Sequence, residues 1–342
     1  MIRIDSIKLQ VSNDSIKDYK PDQFLRSLAF DSDNNEVSNK LYLKNQYLGI
    51  KNIVINQRNE STELEISSKL LKENYKDLIN KNNIELVVNR INDTGVIEFD
   101  RNEFIDSALI HHLDITNNLK PERSLEKICR DLHIYSVASK YKLDKAISNT
   151  GLVVNGRAKT NNERMIFYDK FEELNKPTKA NRILRNEIDI NDFCGVLRVE
   201  SNLKKFKNIR NAFNLKTLDR IYLKDILISD EKINYNMFNK MFDLNTEELD
   251  VSLLNQKKVF INLLDSKIKG FSNLERLIGR RQIVVNCDYD LDEIRKVIQE
   301  RVKGNIRSYY IPIYKKLIKQ MRSEIIGDLT SINELRELLR VA

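Results

Sequence analysis

Short stretches in the first two-thirds of the chain alternate between apolar and polar residues, as strands do when one face packs on a core. The pattern predicts strands over residues 2–11, 48–57, 62–70, 107–116, 143–156 (broken near 149–151), 164–174 and 193–200. Helices are predicted after Pro121, after Pro177 and over the basic stretch 203–213. Strands dominate, so the sequence predicts an α+β fold with a mostly antiparallel sheet and helices on one face.

The last third of the chain has a different pattern. Apolar residues recur at helical spacing in 237–242, 253–264, 291–303 and 311–326. We therefore predict two domains: a sheet domain over 1–216, and a helical domain over 217–342 that binds DNA or a partner protein.

Composition narrows the class of protein. The 342 residues are 41% hydrophobic and 32% charged, which is typical of a globular protein. Cys129, Cys194 and Cys287 lie far apart, which argues against a disulfide or zinc framework. No apolar leader and no run of about 18 apolar residues occurs, so we expect a soluble, cytoplasmic protein without a membrane partner.

The net charge of +8 is concentrated in two stretches. Residues 295–322 hold nine Lys or Arg and one Glu, and residues 198–216 hold six basic residues and one Glu. Solvated helix faces are one explanation, but two such stretches favour a surface that follows a phosphate backbone. The residues predicted to contact DNA are Lys204, Lys205, Lys207, Arg210, Lys315, Lys316, Lys319 and, in a turn between two strands, Arg157.

Three predicted strands each carry two polar residues two positions apart, which places each pair on one face. The pairs are His112 and Asp114, Tyr168 and Lys170, and Arg198 and Glu200. The apolar residues expected to face the core are Leu109, Leu113, Ile115, Met165, Phe167, Leu197 and Val199. The polar face would therefore collect two carboxylates, a tyrosine and several cations. The alternative is a solvated face with cross-strand ion pairs.

Phosphodiester cleavage uses this set of groups. A tyrosine hydroxyl, with a pKa of about 10, needs help to attack phosphorus at neutral pH. A Mg²⁺ or Mn²⁺ ion held by Asp114 and Glu200, with His112 as an optional ligand, would polarise the phosphate. Lys170 and Arg198 would neutralise the charge that develops in the transition state.

Four stretches occur in an order that resembles the gene II family of filamentous-phage replication initiators and, more loosely, plasmid rolling-circle initiators. They are residues 4–8, the Asp-bearing strand 112–116, the Tyr-x-Lys stretch 165–174 with its following Glu-Leu, and the Arg-x-Glu strand 195–200. The resemblance covers about residues 1–215.

The resemblance implies a rolling-circle initiator with an HUH or relaxase-like nuclease core in the sheet domain. Such a protein is a metal-dependent endonuclease and strand transferase that nicks one strand at a replication origin. Tyr168 would be the nucleophile, leaving a 5′-phosphotyrosyl link and a free 3′-OH, and Asp114 and Glu200 would belong to the metal site. The implied partners are origin DNA, a host helicase or polymerase, and a second copy of the chain.

Other interpretations stay open. HUH nucleases carry a His-hydrophobic-His pair, whereas His111 and His112 are adjacent here and on a regular strand would point to opposite faces. Tyr309 and Tyr310 lie in the most basic stretch, but their helical context favours stacking on bases over catalysis. The rival functions are a non-enzymatic DNA-binding regulator and a structural or RNA-binding protein.

Overall fold

A computed structural model describes residues 1–33, 35–136, 141–148, 151–156, 163–242, 271–287, 291–301, 307–325 and 330–342. The strands are β1 (Ile4–Ser12), β2 (Ile16–Tyr19), β3 (Phe24–Phe30), β4 (Glu36–Leu43), β5 (Ile50–Asn56), β6 (Ser61–Ser67), β7 (Ile97–Phe99), β8 (Leu109–Leu119), β9 (Tyr141–Ser148), β10 (Gly151–Gly156), β11 (Glu163–Asp169) and β12 (Leu197–Leu203). The helices are α1 (Ile84–Asn92), α2 (Arg101–Ser107), α3 (Leu125–Ser136), α4 (Lys170–Asn175), α5 (Lys179–Leu184), α6 (Phe206–Ala212), α7 (Leu223–Leu227), α8 (Ile233–Phe242), α9 (Phe271–Asn286), α10 (Leu291–Arg301), α11 (Arg307–Ile325) and α12 (Thr330–Val341). The predicted α+β class, with an antiparallel sheet and C-terminal helices, is confirmed.

The chain forms two compact units that alternate along the sequence. The first comprises residues 1–120, 160–236 and 339–342, and the second comprises 121–159 and 237–338. Helix α3 and strands β9 and β10 therefore belong to the same unit as most of the C-terminal helices. The functional division at residue 216 stays a prediction.

Eight strands of the first unit form one antiparallel sheet in the order β3-β4-β5-β6-β1-β8-β12-β11. One face of its central strands is apolar, because alternate residues point the same way. Six residues that the sequence assigned to this face are buried: Leu113, Ile115, Met165, Phe167, Leu197 and Val199. The prediction was wrong for Leu109, which is half-buried and pairs with Gln10 on the opposite face. The cause is a shift of one residue in the register of β8 between His112 and Ile110. The opposite face of the same strands carries the polar residues.

Two predicted strands end earlier than the alternation suggested. The strand predicted over 164–174 stops at Asp169, whose carboxylate accepts the backbone N–H of Glu172 and so begins α4. The strand predicted over 62–70 stops at Ser67, and a 3₁₀ segment follows over Ser68–Asp77. Strands β2, β3, β4 and β7 and helices α1 and α2 had not been predicted.

The 68–77 segment lies against the sheet because Gly49 leaves room for it. Gly49 has φ +78°, and a Cβ atom there would be 2.4 Å from the backbone nitrogen of Leu70. The carbonyl of Gly49 accepts the N–H of Ser67 at 2.7 Å. The close approach brings Ser68 and Tyr75 onto the sheet.

In the second unit, α3 packs on the hairpin of β9 and β10. Helices α9, α10 and α11 pack around an apolar cluster of Val284, Ile294, Ile298, Tyr314, Leu317, Ile318 and Met321. Among the described helices, none is long and apolar enough to cross a bilayer.

Replacing Gly49 should cost more stability than replacing another glycine with the same backbone conformation. Gly195 has φ +68° and nothing within 4 Å of an added Cβ, so Gly195→Ala should cost only about 1 kcal/mol of left-handed strain. Gly49→Ala adds a clash with Leu70 and should cost about 3 kcal/mol or more. Urea unfolding of both variants measures the difference. Equal losses would show that the contact with Leu70 is not a constraint.

Candidate active site

The polar residues of three central strands lie on one face of the sheet. In the antiparallel register, the opposed pairs are Asn118 and Arg198, Thr116 and Glu200, Asp114 and Asn202, and Tyr168 and Arg198. Residues paired across neighbouring strands point to the same side. Tyr168, Asp114 and Glu200 therefore share a face, and Tyr168 contacts Glu200 directly.

The hydroxyl of Tyr168 donates a hydrogen bond of 2.5 Å to Glu200 Oε1. Burial, reinforced by the carboxylate of Asp5 and opposed by Arg198, raises the pKa of Glu200 to about 7. Burial and the nearby Glu200 raise the pKa of Tyr168 well above its usual value. Glu200 therefore accepts the hydrogen bond of the Tyr168 hydroxyl, and it is a carboxylate whose charge changes near neutral pH.

The guanidinium of Arg198 is fully buried, with 0% exposure. Its Nε donates to Asn118 Oδ1 at 2.8 Å, and its Nη1 donates to Asp5 Oδ1 at 3.1 Å and to the hydroxyl of Tyr75 at 2.9 Å. Its Nη2 is buried without a hydrogen-bond partner among the described residues. Because the guanidinium is planar, the bonds at Nε and Nη1 also fix the direction of Nη2.

Lys170 lies at the start of α4 and not on the strand with Tyr168 as predicted, because Asp169 ends the strand and caps the helix. Its side chain is 2% exposed, and its Nζ donates to Glu173 Oε2 at 2.5 Å. The same Nζ lies 5.1 Å from the ring centroid of Tyr75 and 5.6 Å from that of Tyr168. Burial lowers the pKa of Lys170. The carboxylate of Glu173 opposes part of this decrease.

Asp5 completes this network from a bulge in β1. The register with β8 shifts between Ile4 and Ser6, which turns Asp5 toward Arg198. The hydroxyl of Ser68 also donates to Asp5 at 2.5 Å. Burial alone would raise the pKa of Asp5, but the charges of Arg198 and Lys170 hold it below its usual value. Asp5 is thus an ionised carboxylate with a half-buried side chain.

The sequence prediction had not assigned a role to Asp5, Tyr75 or Asn118. Asp5 lies in the stretch 4–8 that carries the family resemblance, so a signal for it was present. Tyr75 had none, because no element was predicted between residue 70 and residue 107 and its partner Arg198 lies 123 residues further along the chain. Asn118 lies four residues beyond Asp114 on the same face of β8, past the predicted end of that strand.

The two adjacent histidines lie on one face, which corrects the expectation of opposite faces. Lys8 pairs with His112 and the next residue of β1 pairs with Ile110, so His111 is the extra residue of a β-bulge. Ile110 and Leu113, on either side, both point into the core. His111 Nε2 lies 2.8 Å from Oε1 of Gln10, which is on the same face of β1 as Lys8.

His112 and Asp114 form a second polar group on this face. His112 Nε2 lies 3.0 Å from Asp114 Oδ1, and the amide of Asn202 donates to the same oxygen. Two buried oxygens nearby in the register, Thr116 Oγ1 and Asn202 Oδ1, have no hydrogen-bond partner in the part of the chain that the structure describes. The described residues contain no group of three His, Cys, Asp or Glu side chains placed to hold a metal ion.

The residues predicted to contact DNA differ in exposure. Lys204 and Lys205 precede α6, which begins at Phe206 and not at 203 as predicted. They are exposed, as is Lys207. Arg210 is half-buried, with its guanidinium 5.8 Å from the ring centroid of Phe206.

Helix α11 carries the other predicted contacts. Lys315, Lys316 and Lys319 are exposed on this helix of the second unit. Tyr309 is 64% exposed and its ring meets that of Tyr310 edge to face at 5.5 Å. Arg157 lies outside the described residues.

Comparisons with known proteins give a distant likeness. No protein-family model and no curated protein matches the chain. Among solved structures, the chain is similar to a rolling circle replication initiator protein from Geobacillus stearothermophilus. The identity is 14%, the TM-score is 0.26, and the match covers 61% of this chain and 77% of that one. A likeness this distant carries no argument about the chemistry of this chain.

The raised pKa of Glu200 predicts a pH dependence of stability in metal-free buffer. The folded chain holds the Glu200 proton up to about pH 7, whereas the unfolded chain releases it near 4.5. Below pH 4.5 the unfolded chain also carries a proton on Glu200, so the folded chain keeps its full stability. As the pH rises to 7, the free energy of unfolding falls by about 3 kcal/mol. Glu200→Gln, which stays neutral, should unfold at a similar urea concentration to the parent at pH 4 and at a higher one at pH 8. A variant less stable than the parent at pH 8 would contradict this.

Proposed function

We propose that the protein nicks single-stranded DNA at a replication origin by using Tyr168 as a covalent nucleophile. The observation that supports this most is the 2.5 Å hydrogen bond from the Tyr168 hydroxyl to Glu200. Arg198 pairs with Tyr168 across the two strands, and its Nη2 has no hydrogen-bond partner among the described residues. The proposed nucleophile, the proposed acceptor of its proton and the proposed cation for phosphate therefore belong to one strand pair. The resemblance of four stretches to the gene II family supports the same function.

The proposed step transfers the scissile phosphate from the 3′-oxygen of the DNA to the hydroxyl oxygen of Tyr168. The Tyr168 oxygen attacks phosphorus while its proton passes to Glu200. The bond from phosphorus to the 3′-oxygen breaks, and that oxygen takes up a proton to give a 3′-OH. The 5′-phosphate stays on the tyrosine, so the ester bond is conserved and the reverse attack by a 3′-OH can rejoin the strand.

Arg198 is proposed to contact a non-bridging phosphate oxygen through Nη2, which is buried in the free protein, so DNA binding must expose it. A buried donor without a partner is costly, and a phosphate oxygen would satisfy it. Lys170 is proposed to act by its charge, because its Nζ lies 5.6 Å from the ring centroid of Tyr168 and is already bonded to Glu173. Both cations would favour the more negative transition state over the bound substrate.

A hard divalent cation, Mg²⁺ or Mn²⁺, is proposed to bind this face through oxygen atoms, since no group of three His, Cys, Asp or Glu side chains among the described residues is placed to hold one. Asp114 and Glu200 would offer carboxylate oxygens, and His112 is next to Asp114. Thr116 Oγ1 and Asn202 Oδ1, which have no hydrogen-bond partner among the described residues, are oxygens of the kind such ions prefer. When bound, the ion would polarise the scissile phosphate.

The exposed lysines are proposed to contact the DNA backbone. Lys204, Lys205 and Lys207 follow β12 directly, so they lie in the same unit as Tyr168 and Glu200. Lys315, Lys316 and Lys319 would give the second unit its own DNA contact, and a host helicase, a polymerase or a second copy of the chain are further proposed partners. A DNA-binding regulator would need only these lysines, so it is the rival function.

Tyr168→Phe should abolish a covalent adduct with DNA. Incubating the full chain with Mn²⁺ and a random pool of labelled single strands should give a protein–DNA band that survives boiling in SDS. Without its hydroxyl the variant has no nucleophile, so the band should fall at least 100-fold. Tyr309→Phe is the control and should form the adduct like the parent. An adduct that survives in Tyr168→Phe and disappears in Tyr309→Phe would overturn the assignment, and DNA binding without any adduct would favour the regulator.

Mn²⁺ should stabilise the folded chain through the carboxylates of the polar face. Binding to the folded state alone should add about 2.7 kcal/mol at 100 times the dissociation constant, seen as a rise in the melting temperature. Asp114→Asn should remove most of that rise. Glu63→Gln, which alters a carboxylate paired with Lys8 in the same sheet, should retain it. The metal proposal fails if the parent shows no rise, or if Asp114→Asn retains it.

A further inference from the structure

The 68–77 segment contributes a tyrosine that touches both cations of the candidate site. Tyr75 is fully buried, its hydroxyl accepts from Arg198 Nη1 at 2.9 Å, and its ring centroid lies 5.1 Å from both Arg198 Cζ and Lys170 Nζ. We propose that Tyr75 is a positioning residue for the nicking step, acting by fixing the direction of the Arg198 guanidinium. This inference rests on the proposed function.

Three hydrogen-bond acceptors surround the guanidinium of Arg198. Three elements each supply one: Asp5 from β1, Tyr75 from the 68–77 segment and Asn118 from β8. Asn118 accepts at Nε, while Asp5 and Tyr75 share Nη1. Because all these nitrogens lie in one plane, the three acceptors together leave Nη2 a single direction.

Losing the Tyr75 hydroxyl should change the direction of Nη2 while the Arg198 guanidinium stays in its buried position. Asp5 would still neutralise Arg198, so the guanidinium stays buried and charged. With one acceptor gone from Nη1, the group can turn toward Asp5, which changes the direction of Nη2. A small displacement of a group that contacts the reacting atoms slows an enzymatic step by about 10- to 100-fold, because the reacting groups must meet in a narrow range of geometry.

The ring of Tyr75 has a separate structural part. It packs against Phe193, with ring centroids 5.7 Å apart, in a small apolar cluster that also contains Leu174, Leu184 and Val196. Tyr75→Phe keeps this packing and both contacts of the cations with the ring. The substitution therefore removes the hydroxyl alone, and the chain should stay folded.

The test compares full-length Tyr75→Phe with the parent in single-turnover cleavage. The substrate is the single strand that the covalent adducts select from the random pool, with Mn²⁺ present. Tyr75→Phe should lower the rate at saturating DNA by at least 10-fold and leave the dissociation constant for DNA unchanged. Tyr47→Phe is the matched control, because it also loses one hydroxyl hydrogen bond, to Gln23, and should cleave like the parent.

A double substitution separates positioning from general damage. If the hydroxyl acts only through the guanidinium, Tyr75→Phe should change the rate little in an Arg198→Lys background. Rate losses that multiply would overturn the inference, as would a Tyr75→Phe variant that cleaves like the parent or that loses only affinity. Where Arg198→Lys does not fold, the rate and affinity of Tyr75→Phe decide alone. A parent that forms no adduct would refute the proposed function itself, which is a distinguishable result.

Discussion

The burial of one guanidinium organises the polar face of the sheet. A fully buried arginine is tolerated only where acceptors surround it, and Arg198 receives them from β1, the 68–77 segment and β8. The bulge at Asp5 and the close approach at Gly49 are the local features that bring two of these acceptors into place. The remaining nitrogen, Nη2, has no partner within the described ranges, and Arg198 pairs with Tyr168 on the neighbouring strand.

The same burial gives two carboxylates opposite properties. Asp5 lies against Arg198 and has a lowered pKa, so it stays charged. Glu200 is buried near the negative charge of Asp5, and its pKa rises to about 7, so it can accept a proton near neutral pH. Pairs of acidic groups whose environments separate their pKa values are common where proton transfer occurs. The account of Tyr168 as a nucleophile depends on this contrast.

Alternation along the chain was enough to predict which residues of β11, β12 and β8 from Leu113 onward face the core, because burial on one side imposes that pattern. It was not enough where a single residue breaks the register, and so it placed His111 and His112 on opposite faces and gave Asp5 no role. It left open the alternative of a solvated polar face, because the side chain that covers Arg198 comes from Tyr75, 123 residues earlier in the chain. Long-range contacts of this kind leave little trace in local pattern.

The most direct test of the central claim is to locate the DNA on the protein. The covalent adduct can be digested with nuclease and trypsin, and the peptides can be sequenced by mass spectrometry. The account predicts residual nucleotide on Tyr168, in the peptide Met165–Lys170. Nucleotide on Tyr309 or Tyr310, in the peptide Ser308–Lys315, would contradict it.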